Sequence, residues 1–527
     1  MDRRGFLKHA SLAVAGAALP VAAHPAPSPA HAIARVRGGR IAGVREHGVQ
    51  VFRGIRYGAD TSAYRFQPPR REAAWRGVRD ALAFANAAPQ AGNEGPGSED
   101  CRFLNVWTPA LRDGGRRPIL VYIHGGGYNT GSGSDPLYDG SRLCRRGDVV
   151  VVTVNHRLNA FGYLFLGEFD ARYGASGNVG QLDLVAALQW VREHAAEFGG
   201  DAGNVTVFGQ SGGGAKIATL MAMPPARGLF HRAWTMSGQQ VTAAGPRAAA
   251  QRARLYMDAL GAGDVDAMLR LPAAALVEAL RTRDPSRVED TTLYFGPVMD
   301  GTALPRHPFW PDAPPQSASI PMVVGNTRDE TRAFLGNDPA HHALDWDALP
   351  ERLRRHQFVD LDPATVIAEY RRLYPAYTPS EVFFAATTAG RSWRGAVEEL
   401  EARARAGVGN TWAYQLDWYP RDVDATGVHR AFHTLDIPLV FDNLMQPGSR
   451  TGTSPEAQSV ADAMCDALLA LARHGDPGTG ATAGWPPYSM ERRQTMVFGA
   501  TPAVQDDPRG GERRLYARVP FVQRGTL

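Results

Sequence analysis

The sequence predicts an α/β protein with a mostly parallel central sheet flanked by helices. Two patterns carry this. Short apolar, β-branched runs recur at 118–123, 149–154, 205–208, 321–324 and 412–416. Longer helix-compatible stretches, such as 182–198 and 456–474, alternate with them. Strands separated by helices must cross over and pair in parallel, with helices covering the faces. With 44% hydrophobic and only 21% charged residues, the chain can fill a large core and is wrong for disorder.

Length alone, at 527 residues, suggests two or three domains. The Pro/Gly-rich pieces at 308–315 and 475–487 nevertheless read as surface loops, and no internal repeat is visible. Residues 33–527 are therefore expected to form a single domain.

The first 32 residues read as an address. Asp2-Arg3-Arg4-Gly5-Phe6-Leu7-Lys8 precedes a modest apolar stretch over 10–23 and a Pro-rich piece over 24–32. Twin arginines followed by a short apolar region predict export by the twin-arginine machinery, to the periplasm or beyond. Cleavage is expected after Ala30-His31-Ala32, with Val21-Ala22-Ala23 as the alternative. The apolar stretch is too short to span a bilayer, and no other segment suits a span.

Net charge is +4, and the excess is arginine: the lysines are Lys8 and Lys216. No dense arginine stripe is interleaved with aromatics, which argues against a nucleic-acid partner. The run 351–355 reads as a solvated helix face. Cys101, Cys144 and Cys465 cannot all pair, and their spacing matches no metal site. No metal or organic cofactor is expected.

Chemistry enters at Gly209-Gln210-Ser211-Gly212-Gly213, between the run 204–208 and the helix-compatible run 215–220. G-x-S-x-G between strand and helix is a nucleophile elbow: small flanking residues permit a tight turn that lifts the serine oxygen above the sheet. With 57 glycines in the chain, that motif alone is weak. Upstream, however, the run 118–123 leads into His124-Gly125-Gly126-Gly127. Glycines after a strand let backbone N–H groups approach a ligand closely. Together the motifs predict acyl transfer at Ser211, with the amides of Gly126, Gly127 and Gly212 as oxyanion donors.

A serine nucleophile needs a base, and the base an orienting acid, in the chain order Ser, Asp or Glu, His. Asp329 and Glu330 both follow the strand-like run 320–325, and His429 and His433 both lie further on. Local physics does not separate either pair.

These motifs sit in an ordered series. Phe52-Arg53-Gly54-Ile55-Arg56-Tyr57, Ser98-Glu99-Asp100-Cys101, Asn155-His156-Arg157-Leu158, Gly177-Asn178-Val179-Gly180 and Ser237-Gly238 surround them. From Ile41 to Phe498 the chain resembles the type-B carboxylesterases, α/β-hydrolases that include cholinesterases and many bacterial esterases. The resemblance implies the α/β-hydrolase fold, with loop and helix insertions forming the pocket. It also implies Glu330 as the acid and His433 as the base, His433 alone having an acidic residue three positions on followed by an aliphatic residue and proline. It further implies structural ion pairs Arg65–Glu99 and Arg157–Asp183, and Ser237 behind the triad. His156 stands where relatives usually carry tyrosine and reads as a packed structural residue. A first disulfide is missing, because its upstream cysteine would fall near Ala88. Gln210 and Gly212 replace a frequent glutamate and alanine.

The expected function is thus serine carboxylic-ester hydrolysis of a small-molecule ester through an acyl-enzyme. The rivals are a specialised hydrolase of natural-product, toxin or aromatic esters, and a non-catalytic cholinesterase-like binding protein. The loop 89–97 has no aromatic residue to stack on a choline group, and Thr291 and Leu293 fall near the family's acyl-pocket positions. Neutral esters are therefore expected over choline esters. Lys216 reads either as a helix-surface lysine or as a partly buried cation paired with a carboxylate. Oligomeric state is not legible.

Overall fold

A computed structural model describes residues 32–92, 97–285 and 291–523. Thirteen strands among them form one sheet. They are β1 (Ala32–Val36), β2 (Gly39–Glu46), β3 (Val49–Arg56), β4 (Val78–Asp80), β5 (Phe103–Thr108), β6 (Arg117–Ile123) and β7 (Val150–Val154). Then follow β8 (Gly200–Gln210), β9 (Arg232–Met236), β10 (Met322–Thr327), β11 (Thr411–Leu416), β12 (Gln494–Phe498) and β13 (Ala503–Asp506). The order is β1-β2-β3-β5-β7-β6-β8-β9-β10-β11-β12-β13, with β4 beside β2.

From β7 through β12 every neighbouring pair is parallel. Antiparallel pairs flank this block on both sides. Both faces of the central strands are covered, which is why they read as unbroken apolar runs rather than alternating ones. All residues of β7, β10 and β11 are buried. Within β6, Ile119, Val121 and Ile123 pack with Leu184, Leu188 and Val191 of the helix Val179–His194. Leu120 and Tyr122 point the other way, into a core with Met464, Leu468 and Leu471 of the helix Pro455–His474. The period of two along a strand thus feeds two cores from one segment.

The parallel strands β6, β8 and β10 end at the same edge of the sheet, so the segments after them converge there. That edge is where such sheets carry ligands. The edge strands β4 and β13 escaped the sequence reading because their side chains follow no burial pattern. Every residue of β4 and β13 is exposed.

The reading of an export signal falls on residues outside the described ones, except for Ala32, which opens β1. No helix among the described residues is long and apolar enough to cross a membrane. Segment 351–355 lies on the helix Leu349–His356, where Glu351 pairs with Arg354 and Arg355 in solvent while Leu353 faces the core.

Candidate active site

Strand β8 runs into the helix Gly212–Leu220 through Ser211 alone. Ser211 holds φ 56° and ψ −126°. A non-glycine residue in so sparsely populated a region costs roughly 1–3 kcal/mol and survives only where its surroundings over-determine it. Here they do: Ser211 N–H donates to Met236 O at 2.7 Å. A Cβ on Gly213 would lie 1.9 Å from Ile123 O, so the helix can start against β6 only with glycine there. The elbow therefore follows from the packing of three adjacent strands, not from the turn alone.

Beside it, β6 runs into His124-Gly125-Gly126-Gly127. Gly126 has φ +82°, and its carbonyl accepts from Asn129 and Thr130 N–H, each at 3.1 Å. The carbonyl is thereby turned into its own tight turn. A Cβ on Gly125 would come within 3.3 Å of Ser211 Cβ, which measures how closely this loop lies against the elbow.

The candidate acid and base lie on the segments after β10 and β11. His433 Nδ1 is hydrogen-bonded to Glu330 Oε2, and both side chains are buried. Thr327 N–H donates to Glu330 Oε1 at 2.9 Å, and Asn326 Nδ2 at 3.3 Å. The buried Ser237 hydroxyl lies against the same carboxylate, short of full hydrogen-bond geometry. Burial works to raise the Glu330 pKa, but the His433 charge and these donors outweigh it and hold the carboxylate below its usual range. Asp329, its neighbour in sequence, turns to Arg332 at 3.3 Å. His429 lies away from the pair, half-buried against Phe432.

With Nδ1–H given to Glu330, His433 Nε2 carries the lone pair. Its partner in this structure is the Gln210 amide nitrogen at 3.1 Å. This is the tautomer a general base requires. Behind it, Asp436 is fully buried and accepts from Tyr414 Oη at 2.8 Å; burial raises its pKa to about 7.

Ser211, His433 and Gly125 to Gly127 line a cavity of about 530 Å³. Its walls add residues that the sequence reading did not single out, among them Tyr128, Tyr294, Phe334, Phe358, Arg391 and Phe521. Phe334 lies 4.9 Å from the His433 ring, and the Arg391 guanidinium stacks on Phe334 at 4.2 Å. Arg391 sits on a π-helical turn, Ala389–Trp393, for which the sequence carries no signal. Leu293 does not face the cavity but packs in a core cluster, and Thr291 is absent from the lining too. The neighbouring Tyr294 takes that wall, a correction to the expected acyl pocket.

The model of the "Carboxylesterase family" matches residues 30–515. The chain belongs to the carboxylesterase family. This carboxylesterase is 35% identical over 502 residues to the para-nitrobenzyl esterase of Bacillus subtilis, covering 92% of this chain and 98% of that one. It is 33% identical to the fumonisin B1 esterase of Sphingopyxis macrogoltabida, covering 89% and 86% respectively. A crystal structure of a Geobacillus stearothermophilus carboxylesterase superposes with a TM-score of 0.81 at 38% identity, covering 92% of this chain and 99% of that one. The fold is the α/β-hydrolase fold, and the chain is an enzyme of carboxylic-ester hydrolysis.

Two ion pairs brace the carboxylesterase scaffold. Arg65 Nε donates to Glu99 at 2.8 Å, and Arg157 Nε to Asp183 at 2.7 Å. Cys101, Cys144 and Cys465 are buried free thiols; burial pushes Cys144 up to about 12 and the other two up as well. Ala88 packs on Cys101 and Leu158, so a methyl group stands where the resemblance calls for a cysteine. His156 is buried, as a packed residue should be. Lys216 departs from both of its readings: it is fully buried, and its ammonium donates to a backbone carbonyl, not to a carboxylate. Among the described residues no cluster of His, Cys, Asp and Glu could hold a metal ion.

Proposed function

We propose that this carboxylesterase is an exported serine hydrolase that forms an acyl-enzyme on Ser211. His433 is the base, Glu330 orients it, and the amides of Gly126, Gly127 and Gly212 receive the oxyanion. The observation that carries this reading is the buried His433–Glu330 hydrogen bond beside a cavity lined by Ser211 and the glycine loop.

The chemistry follows from the tautomer. An ester entering the cavity displaces the Gln210 amide from Nε2, and the lone pair takes the Ser211 proton as Oγ attacks the carbonyl carbon. The imidazolium that forms is stabilised by the Glu330 carboxylate, which stays ionised. It then protonates the leaving alcohol, and neutral again, activates water to release the acid. A fluorophosphonate probe tests the reading: it should label Ser211, and failure to label the folded enzyme would overturn it.

The aromatic lining favours bulky or aromatic neutral esters. The cavity wall has no aspartate or glutamate among its described residues, and it carries the Arg391 cation. Arg391 already stacks on Phe334 and Phe358, so a quaternary ammonium group would compete with a like charge for those rings. We expect kcat/KM for an uncharged butyrate ester to exceed that for butyrylcholine by at least tenfold, roughly the 1.4 kcal/mol of one unfavourable charge contact. A preference for the choline ester would sink this specificity.

Export rests on the twin arginines and the short apolar stretch of residues 1–32. Replacing Arg3 and Arg4 by lysine should leave the enzyme in the cytoplasm. Unchanged secretion of that variant would remove the twin-arginine route.

A further inference from the structure

Lys216 is a cation buried where, among the described residues, no anion answers it. It lies on the helix Gly212–Leu220, which packs against β6, β8, β9 and the helix Val179–His194. Its Nζ donates to His124 O at 3.1 Å, the carbonyl that opens the glycine loop. The groups meeting it from these elements and their loops are uncharged. They are His124 after β6, His156 after β7, the Tyr128 ring 5.8 Å from Nζ, and Gln181, whose amide donates to the Lys216 backbone carbonyl at 3.1 Å. Asp183, on the helix Val179–His194, is held by Arg157 and Arg102.

The two histidines are neutral by construction. Each is bonded through Nδ1 to a backbone carbonyl at 2.9 Å, His124 to Gly125 and His156 to Arg157. Their rings stack at 4.9 Å, and each Nε2 is buried without a hydrogen-bond partner. Burial, reinforced by the Lys216 charge, pushes both imidazoles well below their ordinary range. Burial also pulls Lys216 down to about 7, with no neighbouring charge opposing it. An unpaired buried charge destabilises a fold, so packing does not explain its presence.

We propose that Lys216 is a positioning residue for the oxyanion loop, its ammonium holding the His124 carbonyl and setting a positive charge behind the point where the substrate oxygen turns negative. This rests on the ester-hydrolysis reading above. Two consequences separate the role from a structural one. First, the charge acts on the tetrahedral intermediate and not on the neutral ester, so it lowers the barrier without tightening substrate binding. Second, the folded pKa lies below the unfolded value of about 10.4. The burial cost is thus fully present below about pH 7 and fades as pH rises toward the unfolded value.

The test is Lys216→Met in the full-length enzyme. Its kcat should fall roughly tenfold with KM changed less than about twofold, as for loss of an electrostatic contribution confined to the transition state. The inhibition constant for a trifluoromethyl ketone, whose adduct on Ser211 is an anionic tetrahedron, should rise by the same factor. Melting at pH 6 should be unchanged or higher, since the cost of the buried charge is gone. Wild-type kcat should fall on the alkaline side below the ordinary lysine range, and the variant should lack that fall. Wild-type kcat and ketone affinity in the variant would overturn the proposal, and so would lost kcat with a lowered melting temperature. If Lys216→Met does not fold, a wild-type kcat flat to about pH 10, where lysine ordinarily titrates, overturns it, and an alkaline fall supports it. Fluorophosphonate labelling of wild-type Ser211 separates failure of this proposal from failure of the reading beneath it.

Discussion

Ser211→Ala is expected to lower kcat/KM on a p-nitrophenyl ester by roughly 10⁵-fold or more, with an unchanged melting temperature. His433→Ala should lose about as much, and the double variant little more, because nucleophile and base act as one unit. Glu330→Gln should lose roughly 10⁴-fold: a glutamine can present N–H to Nδ1 and so favour the wrong tautomer. Alanine at position 211 also removes the Oγ on which the acyl group would sit, while its Cβ already exists in the serine and disturbs no packing. Relief of the strained backbone is not expected, since the turn is set by the Ser211–Met236 hydrogen bond and by the contact of Gly213 with β6. Wild-type turnover in Ser211→Ala would refute the mechanism outright. A dead Asp329→Asn beside a fully active Glu330→Gln would overturn only the choice of acid.

Gly212→Ala is expected to be nearly as instructive, although alanine is frequent at this place in the family the sequence resembles. A Cβ on Gly212 would fall 1.9 Å from Gly127 O and 2.5 Å from Gly127 C and Cα. These are backbone atoms, and no rotamer relieves the overlap. Either the glycine loop or the elbow helix must move, and the loop is the softer of the two because the helix is wedged against β6. Movement takes the Gly126 and Gly127 amides away from Ser211. Loss of one oxyanion donor typically costs 10²–10³-fold in kcat, and that is the expected fall, with melting changed little. Steady-state kinetics with a thermal melt decide it. Wild-type kcat in Gly212→Ala would mean that the loop yields without losing its donors.

Much of the site was legible because it is local. The elbow is a steric statement about five consecutive residues, and the glycine loop is another. Both can be read wherever a buried strand precedes them, and the central strands announced themselves through β-branched runs. The edge strands β4 and β13 were not legible, since exposed strands impose little on their side chains. The choice between Asp329 and Glu330 was not a local one either. The two carboxylates are neighbours on one short loop, and only the arrival of His433 from the segment after β11, and of Arg332 on the other side, distinguishes them.

The sequence by itself thus determined the α/β class and marked the candidate nucleophile and glycine loop, because each rests on turn sterics or on the periodicity of one segment. The tertiary structure alone decided what the cavity wall is made of and what Lys216 faces. Phe334, Phe358, Arg391 and Phe521 come from segments remote in sequence, and no pattern within any one of them predicts a shared surface. Lys216 looks like an ordinary polar helix residue until the helix is packed against three strands and another helix. Burial and the absence of a facing carboxylate are sums over the whole fold, and a charge acquires its cost and its use only from such a sum.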